Sequence, residues 1–161
     1  MNDVTITFTR FNEDLNEDLI RISKELAGAF GYTAEKLQVD KQLSQLLRLR
    51  VSQVNHCTFC MNLHAQAARD VGIHPSKVDT LSAWWETGFY SEAEWAALAY
   101  TDALCRQSEL SGRDPLSKYH DALAEHFSKE EIAEIAAIVI NMNLWTRLKM
   151  AAGATPTLQD G

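Results

Sequence analysis

The stretch that most constrains this chain is the junction Asn55-His56-Cys57-Thr58-Phe59-Cys60-Met61-Asn62-Leu63-His64. An apolar stripe runs into it, with Leu43, Leu46, Leu47, Val51 and Val54 recurring at helical spacing. Beyond it a second helical segment starts near Thr58 and meets a stop at Gly72. Both cysteines therefore fall at a break between helices, beside first-turn amides that lack an intrahelical partner. Those amides carry partial positive charge and favour a thiolate, the nucleophilic form of cysteine. Cys57 and Cys60 are about one helical turn apart, close enough to close a small disulfide ring. His64 follows Cys60 by one further turn on the same face. It could accept the thiol proton or, as imidazolium, hold the thiolate. His56 precedes the first cysteine, and its cation would act in the same sense.

The same residue types also serve plainer purposes. Free cysteine is often a small buried hydrophobe. His56, Cys57, Cys60 and His64 are all zinc-ligand types, but ligands crowded mostly onto one helix do not readily surround a tetrahedral ion. No second Cys-x-x-Cys or histidine pair completes a zinc ribbon, so no metal is expected.

As a pattern, Leu49-Arg50-Val51-Ser52-Gln53-Val54-Asn55-x-Cys57-x-Phe59-Cys60-x-x-x-His64 resembles the alkylhydroperoxidase D-like (AhpD-like) branch of the carboxymuconolactone decarboxylase family. Asn143-Leu144-Trp145-Thr146-Arg147 resembles that branch's asparagine-x-aromatic-asparagine-arginine signature, with Thr146 in place of the second asparagine. The resemblance spans most of the chain. It implies an all-α bundle that associates as a trimer or hexamer, and a thiol-dependent peroxidase or disulfide reductase that needs no flavin or haem. The expected partners are a hydroperoxide or disulfide substrate and a dithiol reductant. Cys60, one turn from His64, is the expected attacking thiol, with Cys57 closing the disulfide. Helix-start geometry taken alone favours Cys57 as the more acidic thiol.

Two positions depart from the pattern. Phe59 stands where the alkylhydroperoxidase D proteins proper carry a histidine. The family's glutamate, twelve residues before the first cysteine, is Gln45 here. Glutamine can orient a neighbour but cannot carry a proton at neutral pH. Glu94 and Asp102, on a later helix, are the acids expected to stand in, or else the activity is weak. The alternatives are a lactone decarboxylase, which would not use the cysteine pair, and a non-catalytic redox sensor.

The 161 residues fit a single domain, 1–161, with an extended arm over 1–11 and a tail over 154–161. A net charge of −7 argues against nucleic acid or an anionic membrane as partner. The first residues lack a signal-peptide pattern, so a reducing cytoplasm is expected, where a Cys-x-x-Cys is more often catalytic than stapling. Cys105 reads as packing.

Other segments are helical as well, giving about six or seven helices. Asn12 caps a helix whose stripe is Leu15, Leu19, Ile22, Leu26 and Phe30. The segment from Lys36 to Asn55 has Arg48 and Arg50 off its stripe, either solvated or, for Arg50, paired with an acid near the site. Pro75 opens a helix carrying Trp84-Trp85, of which at most one reaches the core. Capping boxes at Ser91–Glu94 and Ser128–Glu131 open two more, and Asp114-Pro115 another. The last helix, to about Met150, is apolar on more than one side, as a buried or interface helix is.

Overall fold

The protein is described here by a computed structural model covering residues 10–158. Most of the expected N-terminal arm, and residues 159–161 of the tail, lie outside the described residues. Seven α-helices account for the architecture, with no strand among the described residues. They are α1 (Glu17–Phe30), α2 (Lys41–Val54), α3 (Thr58–Asp70), α4 (Pro75–Thr80), α5 (Glu92–Cys105), α6 (Ser117–Ala124) and α7 (Lys129–Ala152). The all-α expectation is borne out.

The bundle is built around α2. Asp40 caps its start, accepting from the amides of Gln42 and Leu43. Every residue from Leu43 to Ser52 is buried, because α3, α5 and α7 all pack against this helix. Arg48 and Arg50 are therefore not solvated, at 1% and 3% exposure. Their charges made the helix look amphipathic, whereas the fold closes over it on all sides.

Both capping boxes form as expected, at Ser91–Glu94 for α5 and Ser128–Glu131 for α7. Gly153 ends α7 with φ 75°, a left-handed conformation that glycine adopts without strain. Three local expectations change. Asn12 caps only a 3-10 turn, Glu13–Leu15, and Asn16 provides the true cap of α1. Helix α4 stops at Thr80 and a 3-10 segment, Leu81–Glu86, follows; Ala83 leaves the helical region and turns the chain. Trp84 is buried there and Trp85 is half exposed, as one-in, one-out geometry requires. Helix α6 begins at Ser117, past the Asp114-Pro115 turn.

The stripe expected on α1 is mostly not in the core. Leu15, Leu19 and Ile22 are exposed, and the one fully buried residue of the helix is Ser23. Helix α1 packs on α7, with Leu26 and Phe30 half-buried and Leu19 and Ile22 facing outward. Among the described residues, no helix is long and apolar enough to cross a membrane.

Candidate active site

The site forms where α2 hands over to α3. Asn55 ends α2, and His56 takes a left-handed φ of 54°, unusual for a residue with a side chain. This turn sends the chain back so that Cys57 becomes the N-cap of α3, with its own amide bonded to the Ser52 carbonyl at 3.0 Å. The Cys57 sulfur accepts from the Cys60 amide at 3.4 Å, and the two sulfurs are 2.6 Å apart. Both thiols are free and buried.

The loop is held from α7. The Asn55 amide donates to Asn143 Oδ1 at 2.9 Å and to Thr146 Oγ1 at 2.8 Å. Thr146 thus meets the loop through its hydroxyl, in the place where the signature has an amide. Asn143 in turn donates to the Val139 carbonyl and to Cys105 Sγ, and is approached by Arg147. Cys105 packs against the apolar cluster that contains Cys57 and Cys60, a proximity hidden in sequence by the 44 residues between Cys60 and Cys105.

The two thiols differ in acidity. The Cys60 thiol, donating to Cys57, brings the Cys57 pKa down to about 7; burial opposes this, and the α3 amides and Lys149 assist. Cys60 is pushed up by the same contact and by burial. Resting negative charge thus belongs on Cys57, with Cys60 keeping the proton. This agrees with the helix-start argument for Cys57 as the more acidic thiol.

His64 is 4% exposed. Its Nδ1 lies 3.2 Å from Gln45 Oε1, and its ring meets Tyr32 edge-on. Burial, helped by the charge of Arg48, lowers its pKa to about 3. The ring is therefore neutral at neutral pH, and the imidazolium alternative does not apply. The side chain of His56 is exposed.

The acids expected to replace the missing glutamate are engaged elsewhere. Asp102 binds Arg50 through both oxygens, at 2.6 and 2.7 Å, and accepts from Trp84 Nε1 at 3.2 Å. Arg50 does find an acid, as one alternative foresaw, but the pair ties α2 to α5 and the 3-10 segment, where Arg50 also reaches the carbonyls of Leu81 and Ser82. Glu94 closes its capping box and binds Lys77 at 2.6 and 2.8 Å. Neither makes a hydrogen bond to the cysteines or to His64.

A cavity of about 300 Å³ opens onto the pair, lined by Cys60 and His64 but not by Cys57. Its wall is largely apolar, and its charged members are Arg48 and Lys149. Lys149 sits over the Phe59 ring at 4.9 Å, near Trp145, and is paired with Glu13. Sequence reasoning missed Arg48 and Lys149; Lys149 lies 89 residues from Cys60 and reads as one more basic residue near a helix end. Among the described residues, no three His, Cys, Asp or Glu side chains converge as metal ligands.

Comparison with known proteins agrees with this architecture. The profile of the carboxymuconolactone decarboxylase family matches residues 24–103. The uncharacterized protein YdfG of Bacillus subtilis (strain 168) is 33% identical over 122 residues, 76% of this chain and 80% of its own. Among solved structures, the protein of unknown function ATU0492 from Agrobacterium tumefaciens, suggested to be the antioxidant defence protein AhpD, superposes with a TM-score of 0.84. The identity is 24%, covering 94% of this chain and 99% of that one. The debrominase Bmp8 gives a TM-score of 0.75 at 25% identity, over 89% of this chain and 74% of its own. The chain belongs to the carboxymuconolactone decarboxylase family and carries the AhpD-like helical fold.

Proposed function

We propose that the protein is a dithiol peroxidase that cycles Cys57 and Cys60 between thiol and disulfide. The observation that carries this reading is the contact of two thiols at a cavity wall, one of them acidic enough to ionise near neutral pH. Cys60 is the attacking sulfur because it alone of the pair lines the cavity.

Cys57, as thiolate, takes the Cys60 proton across the sulfur–sulfur contact. Cys60 then attacks the outer oxygen of a hydroperoxide, the O–O bond breaks, and Cys60 becomes a sulfenic acid. The departing alkoxide recovers the proton from Cys57 and leaves as an alcohol. Cys57, again a thiolate, attacks the sulfenic sulfur; the disulfide forms and hydroxide leaves, to become water with a solvent proton. An external dithiol reduces the pair and is itself oxidised to a disulfide. Proton handling rests on the cysteines, because burial lowers the His64 pKa to about 3 and leaves it a weak base, and Gln45 has no proton to exchange. Gln45 orients the ring.

Such a cycle suits the cytoplasm, where the resting pair stays reduced. We further propose self-association, as a trimer or hexamer, supported by exposed Leu15, Leu19 and Ile22 on the N-terminal side and Ile140, Leu144 and Met150 on α7. The test replaces Cys57 and Cys60 singly with serine and follows hydroperoxide consumption with a dithiol donor. Turnover should vanish for Cys60→Ser, and for Cys57→Ser no disulfide should form. Undiminished turnover in both overturns the reading.

A further inference from the structure

Arg48 is a cation in an unusual place. It is 1% exposed, and among the described residues it has no carboxylate within ion-pair distance. Its Nη2 donates to the carbonyls of Phe30 at 2.6 Å and Gly31 at 2.8 Å, closing the end of α1, but its Nε has no partner. Burial lowers its pKa only to about 10, so the charge persists at neutral pH. A buried charge is costly unless something of opposite sign offsets it.

The unmet polar atoms around it are not scattered. Asn141 Oδ1 and Trp145 Nε1 are also buried without partners, and both residues line the same cavity as Arg48, Cys60 and His64. No Asp or Glu lines that cavity, and its other cation, Lys149, is already paired with Glu13. The chamber therefore offers apolar wall, one uncompensated cation, an indole N–H with no acceptor and an amide oxygen with no donor. A planar carboxylate offsets the charge and brings two acceptor oxygens to a wall whose unmet groups are two donors and one acceptor, leaving only Asn141 Oδ1 without a partner. Phosphate carries more charge than one guanidinium offsets and would leave oxygens against apolar wall.

We propose that this cavity binds a small apolar molecule ending in a carboxylate, anchored by Arg48, with its far end toward Cys60. For the proposed peroxidase this makes the oxidant an organic hydroperoxide that carries a carboxylate; that step rests on the peroxidase reading, whereas the carboxylate site does not. About 300 Å³ is at the small end of ligand pockets and suits a short-chain or single-ring acid.

The experiment compares octanoate with octan-1-ol, which share a chain and differ in charge, by calorimetric titration and thermal unfolding of the reduced protein. Octanoate should bind and raise Tm while octan-1-ol does neither. Binding should survive Cys60→Ser and be lost in Arg48→Met. Because Arg48 also ties the end of α1, a second variant, Ala27→Phe, fills the cavity without touching the charge and should abolish binding too. Equal effects of the two ligands, or no octanoate binding to the wild-type protein, overturn the site. In turnover, a hydroperoxy acid should show kcat/KM at least tenfold above its methyl ester. Octanoate binding with no hydroperoxide consumption removes the peroxidase reading and keeps the site. Consumption with equal kcat/KM for acid and ester keeps the peroxidase and removes Arg48 as substrate anchor.

Discussion

Gln45 Oε1 lies 3.2 Å from His64 Nδ1, so the buried imidazole is held by a group that cannot take its proton. The ring is fixed in place yet idle as a base, with its pKa near 3. A carboxylate at that contact would favour the protonated ring and raise the pKa.

Gln45→Glu should therefore make His64 a working member of the site. The expected outcome is a His64 pKa well above 3, read by NMR titration of the ring protons. Hydroperoxide consumption should quicken by about a hundredfold, at the low end of what a positioned acid–base group contributes. A higher pKa without faster turnover would mean that the proton path runs through the cysteines alone.

The Cys57 thiolate gives a pH dependence of known sign. Its folded-state pKa, about 7, is below the ordinary value, so thiolate accumulates as pH rises through about 7 and is lost below it. Alkylation of the reduced protein by iodoacetamide should follow that curve. Lys149 helps hold both thiolates, so Lys149→Met should move the midpoint upward. A displacement of about one unit would cut the thiolate at pH 7 from about a half to about a tenth, with alkylation slowed in proportion. An unmoved midpoint would leave Lys149 as mouth packing over Phe59.

Asp102 is predicted to be structural. Arg50 is 3% exposed, and Asp102→Asn leaves its charge unpaired. The loss of unfolding free energy should be about 2–4 kcal/mol in denaturant titrations. The folded variant should keep the wild-type alkylation midpoint. A shifted midpoint with unchanged stability would restore Asp102 as an acid serving the thiols.

These contrasts mark what the chain discloses before folding. The capping boxes at Ser91 and Ser128 were legible because each is a local exchange of hydrogen bonds written within four residues. The Cys57–Cys60 pair at a helix start was legible for the same reason. Arg48 was misjudged and Arg50 left open between solvent and an acid, because a charge on a helix signals solvent unless the fold supplies partners, and those partners lie at Phe30, Gly31 and Asp102. The roles of Lys149 and Glu13 depend on where α7 and the N-terminal 3-10 turn end up, which no local pattern states. The α1 stripe was read as apolar, and its exposure was not legible: periodicity gives a face, not what covers it.

That uncovered face yields its own prediction. Leu19 and Ile22 are 39% and 55% exposed. If α1 is covered by another copy of the chain, Leu19→Asp with Ile22→Asp should shift sedimentation equilibrium to the monomer mass with little loss of helical signal. Wild-type protein sedimenting as a monomer would refute self-association outright.

The thiol–disulfide cycle is tested most directly by counting free thiols in the denatured protein before and after hydroperoxide is added to the reduced native form. The account predicts that all three cysteines titrate beforehand and only Cys105 afterwards, with peptide mapping placing Cys57 and Cys60 in one disulfide. Three free thiols after exposure, or oxidation confined to Cys105, would contradict it.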